Sequence, residues 1–382
     1  MLDLIEAYLG VPAPLLFGQL LLGLINGAFY AMLSLGLAVI FGLLNIINFT
    51  HGAQFMMGAF AAWMLLAMGT NNDAGLGIGY LLMFPLFWLV DAMTLKYQVS
   101  RQMRALAFGV VLLLFLPGLM VSLPGIGPLA SVIATTLDLP TRIAAVLAWV
   151  FPNGLGYWAA LPLCALLVGV NGVVLERVFI SRLYKLDHLY GLLLTLGLGL
   201  IIEGIYRNKF GSSGLPYRIP AELQGAWDLG FMFMPIYRGW VVVAALIFCL
   251  ATWLIIEKTR LGAYLRAATE RAELVQAFGI NVPRMITLTY GAGVALAAVA
   301  GVLAAPIYSV NPQMGSNLII VVFAVVVIGG MGSILGSIVT GFGLGIVEGL
   351  TKVYYPEASA TVIFVIMAIV LLARPAGLFG RA

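Results

Sequence analysis

Apolar residues fall in long continuous stretches separated by short polar ones. The runs occupy 15–43, 52–69, 76–90, 105–122, 159–175, 189–206, 239–256, 285–305, 317–330, 334–350 and 359–373. A membrane-crossing helix needs about 20 predominantly apolar residues, so the pattern predicts an all-α, polytopic transmembrane bundle of about 8–11 spanning or re-entrant segments. Several runs are too short to span, which points to broken or re-entrant helices. A membrane β-barrel would instead show segments of about ten residues that alternate in polarity. LIIVVFAVVVIGG (318–330) and TVIFVIMAIVLLA (361–373) do not alternate. The stretch 128–151 is less apolar, carries Asp138, Pro140 and Arg142, and reads as an interfacial or loop segment.

Composition sharpens this reading by exclusion. Of 382 residues, 63% are hydrophobic and 9% charged, where soluble domains run near 45–50% and about 25%. So few charges cannot coat a water-soluble domain of this length. The net charge of +4 comes with no basic stripe of interleaved aromatics, so nucleic acid is not a partner. Cys164 and Cys249 lie inside apolar runs, which supports neither a disulfide framework nor a metal cluster. The acidic start, with Asp3 and Glu6, lacks the basic region of a cleaved signal peptide. No GxxxxGK[ST], HExxH, CxxC or GxSxG motif is present, so neither a phosphate loop nor a familiar catalytic device is expected. The expectation is a transport protein without cofactor or metal, not an enzyme.

Lys and Arg placement orients the spans. The loops 91–104, 176–187 and 257–284 are basic and are placed in the cytoplasm by the positive-inside rule. The loop 207–238 then lies outside, despite Arg207, Lys209, Arg218 and Arg238.

Three features carry candidate chemistry. The first is the polar loop 257–284, which holds eight charged residues. Leu261, Leu265, Ala268, Ala272 and Val275 follow helical spacing on one face, with Arg266, Glu270 and Glu273 on another. Gly279 can end such a helix and Pro283 stops its continuation. The spacing predicts a helix over 262–278, either a solvated connector on the bilayer or a coupling helix for a cytoplasmic partner. The second is the polar cluster Asn45, Asn48, Thr50, His51 and Gln54. Amides in hydrocarbon need partners, so these residues either cap a cytoplasmic turn or break a helix and line a path. The third is GGMGSILGSIVTGFGLGIVEGL (329–350), where Gly332 and Gly336, then Gly341, Gly345 and Gly349, recur every four residues. That spacing lets helices approach closely. Glu348 lies within it and Glu203 within another run; an ionisable group in a span is a functional candidate. Each also has a cation four residues on, Lys352 and Arg207, which offers a structural ion pair instead.

At these residues the chain resembles a known family. INGAFYAMLSLGLAVIFGLLNIINFTHGAQFMMGAF (25–60), with Asn48-Phe49-Thr50-His51-Gly52, is similar to the opening of branched-chain amino acid ABC importer permeases of the H type. An acidic residue often follows that glycine in the family; Ala53 stands there here. Residues 266–306, 327–350 and the ending RPAGLFG (374–380) are similar as well. The resemblance covers about 1–70 and 159–382. Against it, 73–158 reads as an insertion with at least one extra span within a single membrane domain.

The resemblance implies half of a translocation path in the bacterial inner membrane. It implies a second permease subunit, two cytoplasmic ATPase subunits and an extracytoplasmic substrate-binding protein as partners. Arg266, Glu270, Arg271, Glu273, Phe278 and Gly279 would then couple to the ATPases. Asn45, Asn48, His51, Glu203 and Glu348 are candidates for the path. Permeases for urea, amides or sugars remain alternatives, as does a stand-alone ion-coupled transporter.

Overall fold

The structure is a computed structural model. It describes residues 11–44, 47–67, scattered positions between 74 and 109, and 139–380 except 185 and 231. Most of the 76–90 run, the 105–122 run and much of the 73–158 insertion lie outside the described residues.

Among the described residues, the α-helices with defined bounds are, in chain order, α1 (Ala13–Leu44), α2 (Thr50–Ala67), α3 (Leu139–Val150), α4 (Tyr157–Val178), α5 (His188–Phe210), α6 (Ile236–Lys258), α7 (Arg260–Ala277), α8 (Val282–Tyr308), α9 (Met314–Gly329), α10 (Ile334–Tyr354) and α11 (Val362–Ala373). Among the described residues, six helices are long and apolar enough to cross a membrane, while α9 and α11 are shorter apolar helices. At 1.5 Å per residue the 12 residues of α11 reach only about 18 Å, short of the ~30 Å hydrocarbon core. Part of the stretch that reads as interfacial or loop is helical: α3 exposes Val146 and Trp149. The segment before α6 carries a small antiparallel hairpin, β1 (Ala226–Asp228) with β2 (Phe233–Pro235), in the register Trp227 opposite Met234.

The outer faces explain the composition. On α5, Leu189, Leu193, Leu196 and Leu200 are all exposed. Their spacing of four, three and four puts them on one stripe. In water such a stripe would be a liability; against lipid tails it is the expected surface. By contrast α1 and α8 are mostly enclosed by protein.

The chain divides into two compact units. One comprises Met1–Asn48, Arg218–Thr289 and Ser316–Ala382; the other comprises Phe49–Tyr217 and Tyr290–Gly315. In the first unit, α10 lies along α1 through small residues: Gly341 faces Ala31, Gly345 faces Gly23 and Gly27, and Gly349 faces Gln19 and Gly23. Lipid tails are as apolar as leucine, so close van der Waals contact is what holds such a pair together. Tyr30, Ala324, Val325, Ile328, Leu344 and Ile363 form a core beside it. The tail after α11 folds back, with the Leu378 N–H donating to the Ile328 carbonyl at 2.8 Å and Phe379 to Gly329 at 3.2 Å. These bonds satisfy carbonyls left open at the end of α9.

In the second unit, α2 is the centre, buried from Thr50 through Leu65. Gly58 meets the Ala298 backbone of α8, and Gly301 of α8 meets Phe55. Phe60 packs on Tyr206 and Phe210 at ring separations of 4.8 and 5.1 Å.

Candidate functional site

The NFTHG stretch lies at a break. Helix α1 ends at Leu44 and α2 starts at Thr50; Asn45 lies outside the described residues. Asn48, Thr50, His51 and Gln54 are all buried. Thr50 donates its hydroxyl to the Thr195 carbonyl at 2.7 Å. The Phe49 N–H donates to the Thr195 hydroxyl oxygen at 3.2 Å, and the Gln54 amide donates to the Tyr290 hydroxyl at 3.3 Å. Gly315 packs on the Gly52 carbonyl with no room for a side chain. The first turn of α2 thus gathers polar groups from α5 and α8 inside the second unit. Hydrocarbon penalises each of these groups unless it is bonded.

The two carboxylates singled out by position are each engaged by a cation on their own helix. Glu203 accepts from Arg207. Glu348 accepts from Lys352 at 2.5 Å, from the Tyr30 hydroxyl at 2.8 Å and from the Asn26 amide at 3.2 Å. Glu348 therefore ties α10 to α1 beside the glycine contact. Of the remaining glycines, Gly332 meets Gly42, and Gly336 opens α10 against Gly329.

One carboxylate escaped the sequence reading. Glu176, at the end of α4, is buried and takes the Tyr184 hydroxyl at 2.5 Å. Its place at the edge of a basic loop makes it look solvated. The turn Ile180–Leu183 folds Tyr184 back over it. Loss of water around the hydroxyl, together with the adjacent carboxylate, pushes the Tyr184 pKa up, so this group remains a donor.

The loop 257–284 contains the helix that its spacing predicts, over Arg260–Ala277, but Arg271 departs from helical geometry and kinks it. Gly262, Leu265 and Val275 are its buried positions, whereas Leu261 is exposed. The first half is held to α6. A Cβ on Gly262 would strike the Ile256 carbonyl, and the Arg266 guanidinium donates to that carbonyl at 2.9 Å and to Glu257 at 3.2 Å. Ile256 belongs to the last turn of α6, whose carbonyls lack helical partners, so Arg266 serves as a cap. The second half presents Leu274 and Phe278 to solvent, Phe278 at 86% exposure. Gly279 closes the segment at φ +82, a left-handed conformation that glycine adopts without strain. Glu270, Arg271 and Glu273 are also exposed.

Comparison with known proteins adds an independent line. The model of the family described as "Branched-chain amino acid transport system / permease component" matches residues 19–372. The LivH high-affinity branched-chain amino acid transport system permease protein of Escherichia coli is 25% identical, over 95% of each chain. The corresponding BraD protein of Pseudomonas aeruginosa is 26% identical, also over 95% of each. The ribose import permease RbsC of E. coli is 25% identical over 73% of this chain and 85% of its own. No solved structure matches.

Proposed function

The chain belongs to the family of branched-chain amino acid transport system permease components, and from that premise we propose that it forms half of the membrane path of an ATP-driven amino-acid importer. It is a multi-pass protein of the inner membrane, and its substrate is a branched-chain or related amino acid. A second permease subunit completes the path, two cytoplasmic ATP-hydrolysing subunits drive it, and an extracytoplasmic binding protein delivers the substrate.

The single observation that carries this reading is a family match over nearly the whole chain. The geometry of the loop supports it. A kinked helix fixed at one end by Arg266 and presenting Phe278 at the other suits a lever pushed by a soluble partner. Glu270, Arg271, Glu273, Phe278 and Gly279 form the pushed surface, and Arg266 positions it. Binding and hydrolysis of ATP would move that surface and change access to the path, as alternating-access transport requires. Asn48 and His51, at the helix break, are the polar groups proposed to face the substrate. Glu203 and Glu348 act through their cations as structural ties, which disfavours an ion-coupled transporter built on them.

The test is assembly. Expressed with its partner subunits and purified by a tag on this chain, the complex is expected to retain ATP-hydrolysing subunits through size exclusion. A chain that purifies without them at any salt concentration would contradict the reading.

A further inference from the structure

The first unit contains a cleft of about 530 Å³ where the end of α6, the start of α7, the end of α1 and the tail after α11 converge. The basic loop places this end of the unit in the cytoplasm. Trp253, Leu265 and Phe379 form apolar walls, and Glu257 and Arg266 bring one negative and one positive group to the same space. Those two charges stand 3.2 Å apart, with side chains 51% and 41% exposed. Solvent, and a small solute, can reach both.

We propose that this cleft binds a free amino acid with an apolar side chain on the cytoplasmic side, and that occupation slows import. The inference rests on the substrate class assigned above. An amino acid carries a carboxylate and an ammonium on one carbon, and the cleft offers the matching pair. Arg266 takes the carboxylate through its planar fork, Glu257 takes the ammonium, and the side chain lies against Trp253 and Leu265. A sugar or a neutral amide has no such pair of charges. The volume falls within the range of about 300–1,000 Å³ usual for small-ligand sites. An exposed ion pair is weakly held, so a zwitterion replaces it readily. The same guanidinium also grips the Ile256 carbonyl, the bond that fixes α7 to α6. A bound carboxylate competes for it and loosens the seat of the coupling helix. Accumulated product thereby restrains its own import.

The experiment uses the complete importer in proteoliposomes. L-leucine is loaded inside at rising concentration while ATP-driven uptake of labelled leucine from outside is followed. Saturating internal leucine is expected to cut the initial rate about fivefold or more, the scale of ordinary coupling between sites. Internal leucinol, which lacks the carboxylate, is expected to have no effect. Met331→Trp and Leu335→Trp fill the cleft from exposed positions. Each is expected to import into empty vesicles at the wild-type rate and to lose the inhibition. Two results would overturn the proposal: internal leucine without effect on the wild type, or equal inhibition of the wild type and both filled variants. A wild-type complex that imports normally yet shows either result leaves the importer reading standing. No uptake at all with every partner present would strike that reading, and this inference with it.

Discussion

Gly345→Leu is expected to leave almost no folded chain in the membrane, whereas Gly343→Leu, two residues along the same helix, is expected to accumulate normally. The contrast is geometric. A Cβ at Gly345 would fall inside the backbone of α1 at Gly23 and Gly27, while nothing lies within 4 Å of one at Gly343. The obstruction is main chain, so no rotamer change relieves it and the two helices must separate. Overpacking typically costs about 1–3 kcal/mol and occasionally more. Separation of α1 from α10 lies beyond that range, because it also strains the bonds from Asn26 and Tyr30 to Glu348. Folded proteins hold a margin of about 5–15 kcal/mol, and this change removes a large part of it. Abundance in the membrane fraction and a monodisperse elution profile check both variants. Equal accumulation of the two would show that the α1–α10 contact is not a determinant of stability.

Phe278→Asp is expected to abolish ATP-driven uptake while leaving insertion and thermal stability unchanged. A side chain at 86% exposure contributes little packing within this chain, so its removal should not unfold it. An aromatic held exposed in a polar loop gains its apolar stabilisation only when a partner covers it. Aromatic residues are enriched at interfaces, and truncating one that serves as a binding hot spot costs about 2 kcal/mol or more, a loss of roughly thirtyfold in affinity. The charge adds the cost of desolvating a carboxylate at the contact. The expected readout is a loss of co-purifying ATP-hydrolysing subunits of that order, with uptake falling in parallel. Full uptake by the variant would remove Phe278 from the coupling surface.

The bundle was legible in the sequence because hydrocarbon allows few solutions, and unbroken apolar runs without alternation leave only helices. The loop helix was legible too, since Leu265 and Val275 carry helical periodicity and Gly279 marks its end. The kink at Arg271 was not. Its residue types are ordinary helix formers, and the departure from helical geometry is a matter of three-dimensional context. Periodicity sets Arg266 off the face that holds Leu265, among the charges expected to meet a partner. A long guanidinium reaches round to the carbonyls at the end of α6, and no pattern of single positions records that reach. The every-fourth-residue glycines announced close packing on α10, but Gly23 and Gly27 as the other half of the contact lie more than 300 residues away along the chain. Glu176 was hidden for the opposite reason. It sits beside Arg177 at the edge of the basic loop 176–187, and the turn that returns Tyr184 covers it.

ATP-driven leucine uptake into proteoliposomes separates an importer subunit from a self-sufficient transporter. With the second permease, the ATP-hydrolysing subunits and the binding protein all present, internal leucine is expected to rise above the external concentration. Omission of the ATP-hydrolysing subunits, or the chain alone under an imposed proton or sodium gradient, is expected to give none. Gradient-driven accumulation by this chain alone would contradict its assignment as half of an ATP-driven path.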